Sequence, residues 1–182
     1  MEKKVLIAYG SWAGSTAEVA EEIGKVLAAN GVEADVAEAG DVHDVSGYGA
    51  VVLGTAIHAG HVHKHMRAFL DRHAEFLRGL PVAYFVVCLT MKEDTEENRG
   101  KAEAFLSRIR RDFPGVGPVS VGLFGGVIST NTERLKRLPF AQRMIVRAMK
   151  SAAGDFRDWD AIRAWASALP AALSKGSIPE DS

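Results

Sequence analysis

The sequence predicts a doubly wound α/β domain built on a five-stranded parallel sheet, and three observations carry that prediction. Short, β-rich apolar runs recur along the chain, and stretches of helical periodicity lie between them. The 182 residues, 47% hydrophobic and 25% charged, suit one full core better than two. Taken in order, Val5–Tyr9 is the first strand, and Thr16, Val19, Ala20, Ile23, Val26 and Leu27 mark a helix by their i, i+3, i+4 spacing. Ala34–Ala37 and Ala50–Leu53 follow as strands, and Met66, Phe69, Leu70, His73 and Leu77 repeat the helical pattern. Val82–Leu89 is the next strand, Ala102, Phe105, Leu106 and Ile109 the next helix, and Val119–Phe124 the last strand. Trp159, Ile162, Trp165, Ala166 and Leu169 close the series as a helix with Asp158 as its N-cap. Most of the strand runs are near-continuous rather than alternating, as strands covered on both faces should be. The order reads βαβαβαβαβα with right-handed crossovers, which places ligands beyond the carboxyl ends of the strands.

Residues 1–173 are expected to form one domain, and the polar 174–182 stretch, with Gly176 and Pro179, a frayed tail. A net charge of -1 gives no global field to attract nucleic acid, which is not expected as a partner. The single cysteine, Cys88, has no internal disulfide partner, and Met1-Glu2-Lys3-Lys4 runs into a strand without a signal-peptide pattern. The expected compartment is therefore the cytoplasm. Val82–Leu89 is the longest apolar run, far short of the ~20 residues that span a bilayer as a helix, so a membrane is touched at most.

Directly after the first strand comes Gly10-Ser11-Trp12-Ala13-Gly14-Ser15-Thr16, with the helical pattern starting inside it. Unpaired N–H groups and the positive end of the helix dipole converge there, and Ser11, Ser15 and Thr16 add hydroxyls: an anion site. There is no Gly-Lys-[Ser/Thr] and no three-glycine dinucleotide fingerprint, which disfavours ATP and NAD. A plain helix-capping turn is the alternative, but the first strand-to-helix turn of a doubly wound sheet is where phosphates bind.

Ser11–Thr16 resembles the flavodoxin phosphate loop, [Ser/Thr]-x-Thr-Gly-[Asn/Ser]-Thr, with Ala13 in place of the usual threonine. Gly54-Thr55-Ala56-Ile57-His58-Ala59-Gly60-His61 is similar to the third-strand loop of one flavodoxin branch, the menaquinone-dependent protoporphyrinogen dehydrogenases, and the likeness extends over nearly the whole chain. The resemblance implies a three-layer sandwich with strand order 2-1-3-4-5 and FMN as cofactor. It implies that Ser11, Trp12, Ala13, Gly14, Ser15 and Thr16 hold the phosphate. Thr55, Ala56, Ile57, His58, Ala59 and Gly60 would lie on one side of the ring, and Thr90, Met91 and Lys92 on the other. Electron-carrier flavodoxins stack a Trp or Tyr from these loops on the ring, whereas Thr55–His61 and Thr90–Lys92 contain neither. Either the ring has a more open face and a shifted potential, with Trp12 as partial cover, or Ile57 and Met91 simply pack it. Lys92 sits near the pyrimidine edge or in solvent.

Four of the six histidines, His58, His61, His63 and His65, cluster, with His61 and His65 at a helix start. Side chains alternating there point to different sides, which disfavours a metal site, and none is expected. Hydrogen bonding to a flavin edge, a proton relay and plain exposure remain open, with His58 and His61 the candidates if any act. Cys88, inside an apolar strand, reads as a buried hydrophobe. The 134–150 segment carries Arg134, Lys136, Arg137, Arg143, Arg147 and Lys150 amid apolar residues. It either packs on the domain with a basic edge exposed, or meets an anionic membrane or a partner. A basic insertion, here 130–152, also appears in the protoporphyrinogen dehydrogenase branch, whose members work at the membrane with quinones, so a peripheral position at the inner membrane face is a further expectation.

Two functions compete. One is an FMN oxidoreductase that takes hydrogen from a tetrapyrrole-like substrate and passes electrons to a quinone. The other is a carrier shuttling electrons between redox partner proteins, which a near-zero net charge serves less well. A phosphoacceptor receiver domain is disfavoured, because Gly10-Ser11 and Leu53-Gly54 stand where it needs acids.

Overall fold

The computed structural model describes residues 4–58, 61–128, 140, 144 and 153–175. The chain runs β1 (Lys4–Gly10), α1 (Ser15–Ala29), β2 (Ala34–Glu38), β3 (Tyr48–His58), β4 (His61–Val62), α2 (Lys64–Leu77) and β5 (Val82–Cys88). It continues through a 3-10 turn (Leu89–Lys92), α3 (Glu96–Asp112), β6 (Pro118–Gly125), β7 (Val127–Ile128), β8 (Gly154–Asp155) and α4 (Trp159–Ser174). The main sheet has the order β2-β1-β3-β5-β6, the anticipated 2-1-3-4-5 of its five long strands, and every pair along it is parallel.

Near-continuous apolar runs are what a sheet with two covered faces requires. Leu6, Ala8, Val51, Leu53, Tyr84 and Val86 turn to one face, where Phe69 and Leu70 of α2 and Leu106 and Ile109 of α3 cover them. Val5, Ile7, Val52, Phe85 and Val87 turn to the other, beneath Val19, Ile23 and Leu27 of α1 and Ile162, Ala166 and Leu169 of α4. Because successive strand side chains alternate faces, both sets must be apolar. Gly54 stands beside Phe85 in the register, and a Cβ on it would come within 2.0 Å of that ring, so only glycine fits.

The structure departs from the expected alternation in four places. No helix joins β2 to β3; residues 39–47 cross instead as a loop that buries Ala39, Val42 and Val45 against the α2–α3 face. An extended chain gains ~3.3 Å per residue, so this stretch spans the sheet without a helix. The second strand is an edge, and β2 is accordingly half-buried rather than enclosed. Leu89 leaves the predicted strand to open the 3-10 turn and is exposed. His61 is not on a helix: it pairs with His58 across a short antiparallel hairpin, β3–β4.

At the far end, β7 and β8 pair antiparallel, Val127 with Asp155 and Ile128 with Gly154, which brings together the two ends of the 130–152 segment. Of that segment only Phe140 and Met144 are described; both are helical and exposed, and the rest of the expectation for 134–150 lies outside the described residues. Among the described residues no helix is long and apolar enough to cross a membrane.

Candidate functional site

The carboxyl ends of the central strands line up in register: Gly10 beside Thr55, Ala56 beside Val87, and Cys88 beside Gly125. Between β1 and β3 the chain leaves the sheet in opposite directions, the switch point at which this class of fold opens a crevice.

On one side of that crevice, Gly14 adopts φ +91° as the N-cap residue of α1, a left-handed conformation that a side chain would strain. No side chain caps the helix there, so the N–H groups of its first turn lack the usual partner. Ser11 Oγ accepts the Gly14 N–H at 3.0 Å, which closes the loop and leaves the hydroxyl proton to donate elsewhere. Thr16 is fully buried, and its Oγ1 has no hydrogen-bond partner among the described residues. An orphaned hydroxyl under an uncapped helix start costs stability unless an anion completes it. Trp12, Ala13 and Ser15 are half-buried around this point.

Across the crevice, Thr55 is buried; its Oγ1 donates to the Ala56 carbonyl at 3.0 Å and accepts the His63 N–H at 3.2 Å. Ala56 is half-buried, and Ile57, opposite Val62 in the hairpin, packs against the α2–α3 core. His58 ends β3, while Ala59 and Gly60 lie outside the described residues. In the 3-10 turn, Met91 is buried in the core, Thr90 is half-buried, and Lys92 is exposed with Nζ 4.9 Å from the Phe156 ring centroid. Cys88 is buried as expected, and burial pushes its thiol pKa up.

Sequence reasoning passed over His63. It is 4% exposed, and a Cβ on Gly10 would come within 2.8 Å of its ring. Trp12 meets it edge-on, with ring centroids 4.5 Å apart. Its Nδ1 accepts the His65 N–H at 3.3 Å and so caps α2. Burial pulls its pKa down to about 4, which keeps it neutral. His65 instead pairs with Glu38 at 2.6 Å, and His61 is exposed. Among the described residues no group of three His, Cys, Asp or Glu is arranged to hold a metal. The available signal for His63 was its place as the residue immediately before the apolar-periodic helix that Met66, Phe69 and Leu70 mark.

Beside His61, between α2 and α3, lies a cleft of about 310 Å³ whose lining includes Val62, Phe105, Arg67, Arg108 and Arg111, with Asp112 as the one acid. Arg67 is engaged with that acid at 2.7 Å. On the opposite side of the molecule, the buried Arg157 side chain pairs with Glu18 of α1 and Asp155 of β8, 2.5 Å each, and ties the base of the 130–152 segment to the helix that starts at the loop.

Comparison with known proteins agrees with this architecture. A family model described as flavodoxin domain matches residues 6–160. The protoporphyrinogen IX dehydrogenase (quinone) of Escherichia coli is 31% identical over 108 residues, covering 57% of this chain and 60% of that protein, so the match spans under two thirds of the relative. The protein of the same name from Leishmania major is 26% identical over 185 residues, covering 93% of this chain and 77% of its own. Among solved structures, a cysteine-to-serine mutant of flavodoxin from Pseudomonas aeruginosa superposes with a TM-score of 0.54 at 18% identity, over 94% of this chain and 99% of that one. Oxidised flavodoxin 1 from Bacillus cereus does so at 0.51 and 21% identity, over 78% and 97%. At these identities the structural likeness shows the fold.

Proposed function

Because the chain belongs to the flavodoxin domain family, we propose that it is an FMN-dependent oxidoreductase of the protoporphyrinogen dehydrogenase type that passes electrons to a quinone. The observation that carries the cofactor is the orphaned Thr16 hydroxyl beneath the uncapped start of α1, a donor set suited to a phosphate monoester. Ser11, Ser15, Thr16 and the first-turn N–H groups would hold the phosphate, with Trp12, Ala13 and Gly14 shaping the loop. Thr55–Gly60 and Thr90–Lys92 would flank the ring. FMN, when bound, supplies the exchange of hydrogen and electrons between donor and acceptor.

The chain's own residues then bind, orient and exclude water. Thr55 and Met91 are fixed by the core and keep both flanking loops on rigid strand ends. His58 and His61, paired across the hairpin, are the groups proposed to pass protons, since an imidazole can both donate and accept one. Overall, an electron pair and its hydrogens leave the substrate, and the quinone takes up electrons and protons to become a quinol. The arginine-rich cleft beside His61 supports an acidic substrate, a tetrapyrrole with carboxylate arms being the class that the relatives' name indicates. Residues 1–173 form the FMN domain in this reading, and the 130–152 insertion rests on an anionic membrane surface, supported by its basic residues and the exposed Phe140 and Met144.

The test is an absorption spectrum after FMN addition and desalting, followed by protoporphyrinogen oxidation with a soluble menaquinone analogue. Retained flavin and quinone-dependent turnover are expected. Retained flavin without turnover would leave an electron carrier, and a colourless protein would overturn the cofactor itself.

A further inference from the structure

Among Ser, Thr, Asp, Asn and Gly, the residues that cap helices well, histidine has no place, yet His63 caps α2. A small polar residue would do that task better, so the ring must answer another need. That ring stands against Gly10, the last residue of β1, so closely that any side chain there would collide with it. It meets Trp12, inside the phosphate loop, at 4.5 Å and 71° between planes. From the same residue, the backbone N–H reaches Thr55 in β3. Its other neighbour is His65, 5.0 Å away and edge-on, which Glu38 of β2 holds. One buried residue thus touches the strand before the anion loop, the loop itself and the strand that leads into the β3–β4 hairpin.

We infer that His63 is a positioning residue that couples the two halves of the site, so that seating a phosphate at Ser15–Thr16 steadies Thr55 and the 61–66 stretch, beside which the ring system would lie. This rests on the flavin reading above. The coupling runs through packed atoms: a ligand that fixes Trp12 and the first turn of α1 fixes the face against which the imidazole lies. The backbone N–H of His63 itself donates to Thr55 Oγ1, so holding the ring in place holds that bond. Nδ1 must stay unprotonated to accept the His65 N–H, so the remaining ring hydrogen sits on Nε2. The ring and the cap are separable functions of the side chain. His63→Asn keeps a good capping acceptor without the ring, and His63→Phe keeps a ring without the acceptor.

Hydrogen–deuterium exchange on the full chain reads the coupling directly, because the His63 and His65 amides are themselves the bonded donors. Inorganic phosphate, riboflavin and FMN are the three probes. In the unaltered protein, phosphate and FMN should slow exchange both at 11–17 and at 55–66, whereas riboflavin, lacking the phosphate, should leave 11–17 unprotected. H63N should keep the protection at 11–17, lose about tenfold of it at 61–66, and bind FMN about tenfold more weakly with riboflavin affinity unchanged. H63F should retain the protection at Thr55 and 61–63, while its His65 amide, having lost its acceptor, exchanges faster. The coupling is overturned if phosphate protects 11–17 but leaves the hairpin unchanged in the unaltered protein, or if H63N protects the hairpin as well as H63F does. Protection of neither segment by phosphate or FMN would instead bring down the flavin reading, and the coupling with it.

Discussion

A buried threonine hydroxyl with nothing to bond costs about 1–3 kcal/mol in the ligand-free protein. Thr16 is in that position, and its substitution should separate stability from binding. Thr16→Val keeps the shape and removes the orphan, so the ligand-free protein should unfold at equal or higher urea concentration, while FMN affinity falls by about tenfold, roughly the ~1.4 kcal/mol of one good hydrogen bond. Denaturation and flavin-fluorescence titration of the same variant check both halves. His63 makes the second residue-scale prediction. Its pKa falls from 6.5 to about 4 on folding, so between those values the unfolded chain holds a proton that the folded chain does not. Stability is therefore fully present above pH 6.5 and is lost as pH drops toward 4, by about 2–3 kcal/mol from this group. His73, its pKa also lowered by burial, acts in the same direction. Urea midpoints at pH 7.5 and 5 should differ less in H63F, which has nothing to titrate at this position.

Helices here announce themselves by their apolar stripes, and their ends by capping residues. Asp158 accepts the Ala161 N–H at 2.9 Å at the start of α4, and Asp158→Ala should cost about 1 kcal/mol in thermal or urea unfolding. The strands were equally legible, because Val5–Tyr9 and Val82–Cys88 bury both faces and so carry no polar alternation. Two elements were not legible for identifiable reasons. The 39–47 crossing has too few apolar positions to show a period, although Val42 and Val45 do the covering work of a helix. The return strand of the β3–β4 hairpin has two residues and is too short for any alternation to register. As a result, His61 read as helical and His63 as one member of a surface cluster.

At the level of the whole molecule, the 130–152 segment leaves and returns through one antiparallel pair, β7–β8, held to α1 by Arg157. Replacing 130–152 with a short Gly-Ser linker should therefore leave the unfolding midpoint and FMN binding nearly unchanged, since the cost of loop closure varies only slowly with length. Binding to vesicles containing anionic lipid, followed by co-sedimentation, should be lost. Retention of vesicle binding by the shortened protein would remove the membrane role from this segment.

By itself the sequence determined the layered α/β architecture, the strand order through its family resemblance, and the anion loop after the first strand. Those properties reside in local period and in residues contiguous in the chain: Ser11–Thr16 needs only its own backbone to present N–H groups. Only the tertiary structure decided that Gly10, Trp12, Thr55 and His63 meet. Gly10 and Trp12 lie far along the chain from Thr55 and His63, and the parallel register of β1 with β3, together with a hairpin that folds back before α2, brings them into contact. It likewise decided that Met91 belongs to the core and that Thr16 is buried without a partner. Burial and an unfilled hydrogen bond are properties of what surrounds a side chain, and no local pattern encodes them.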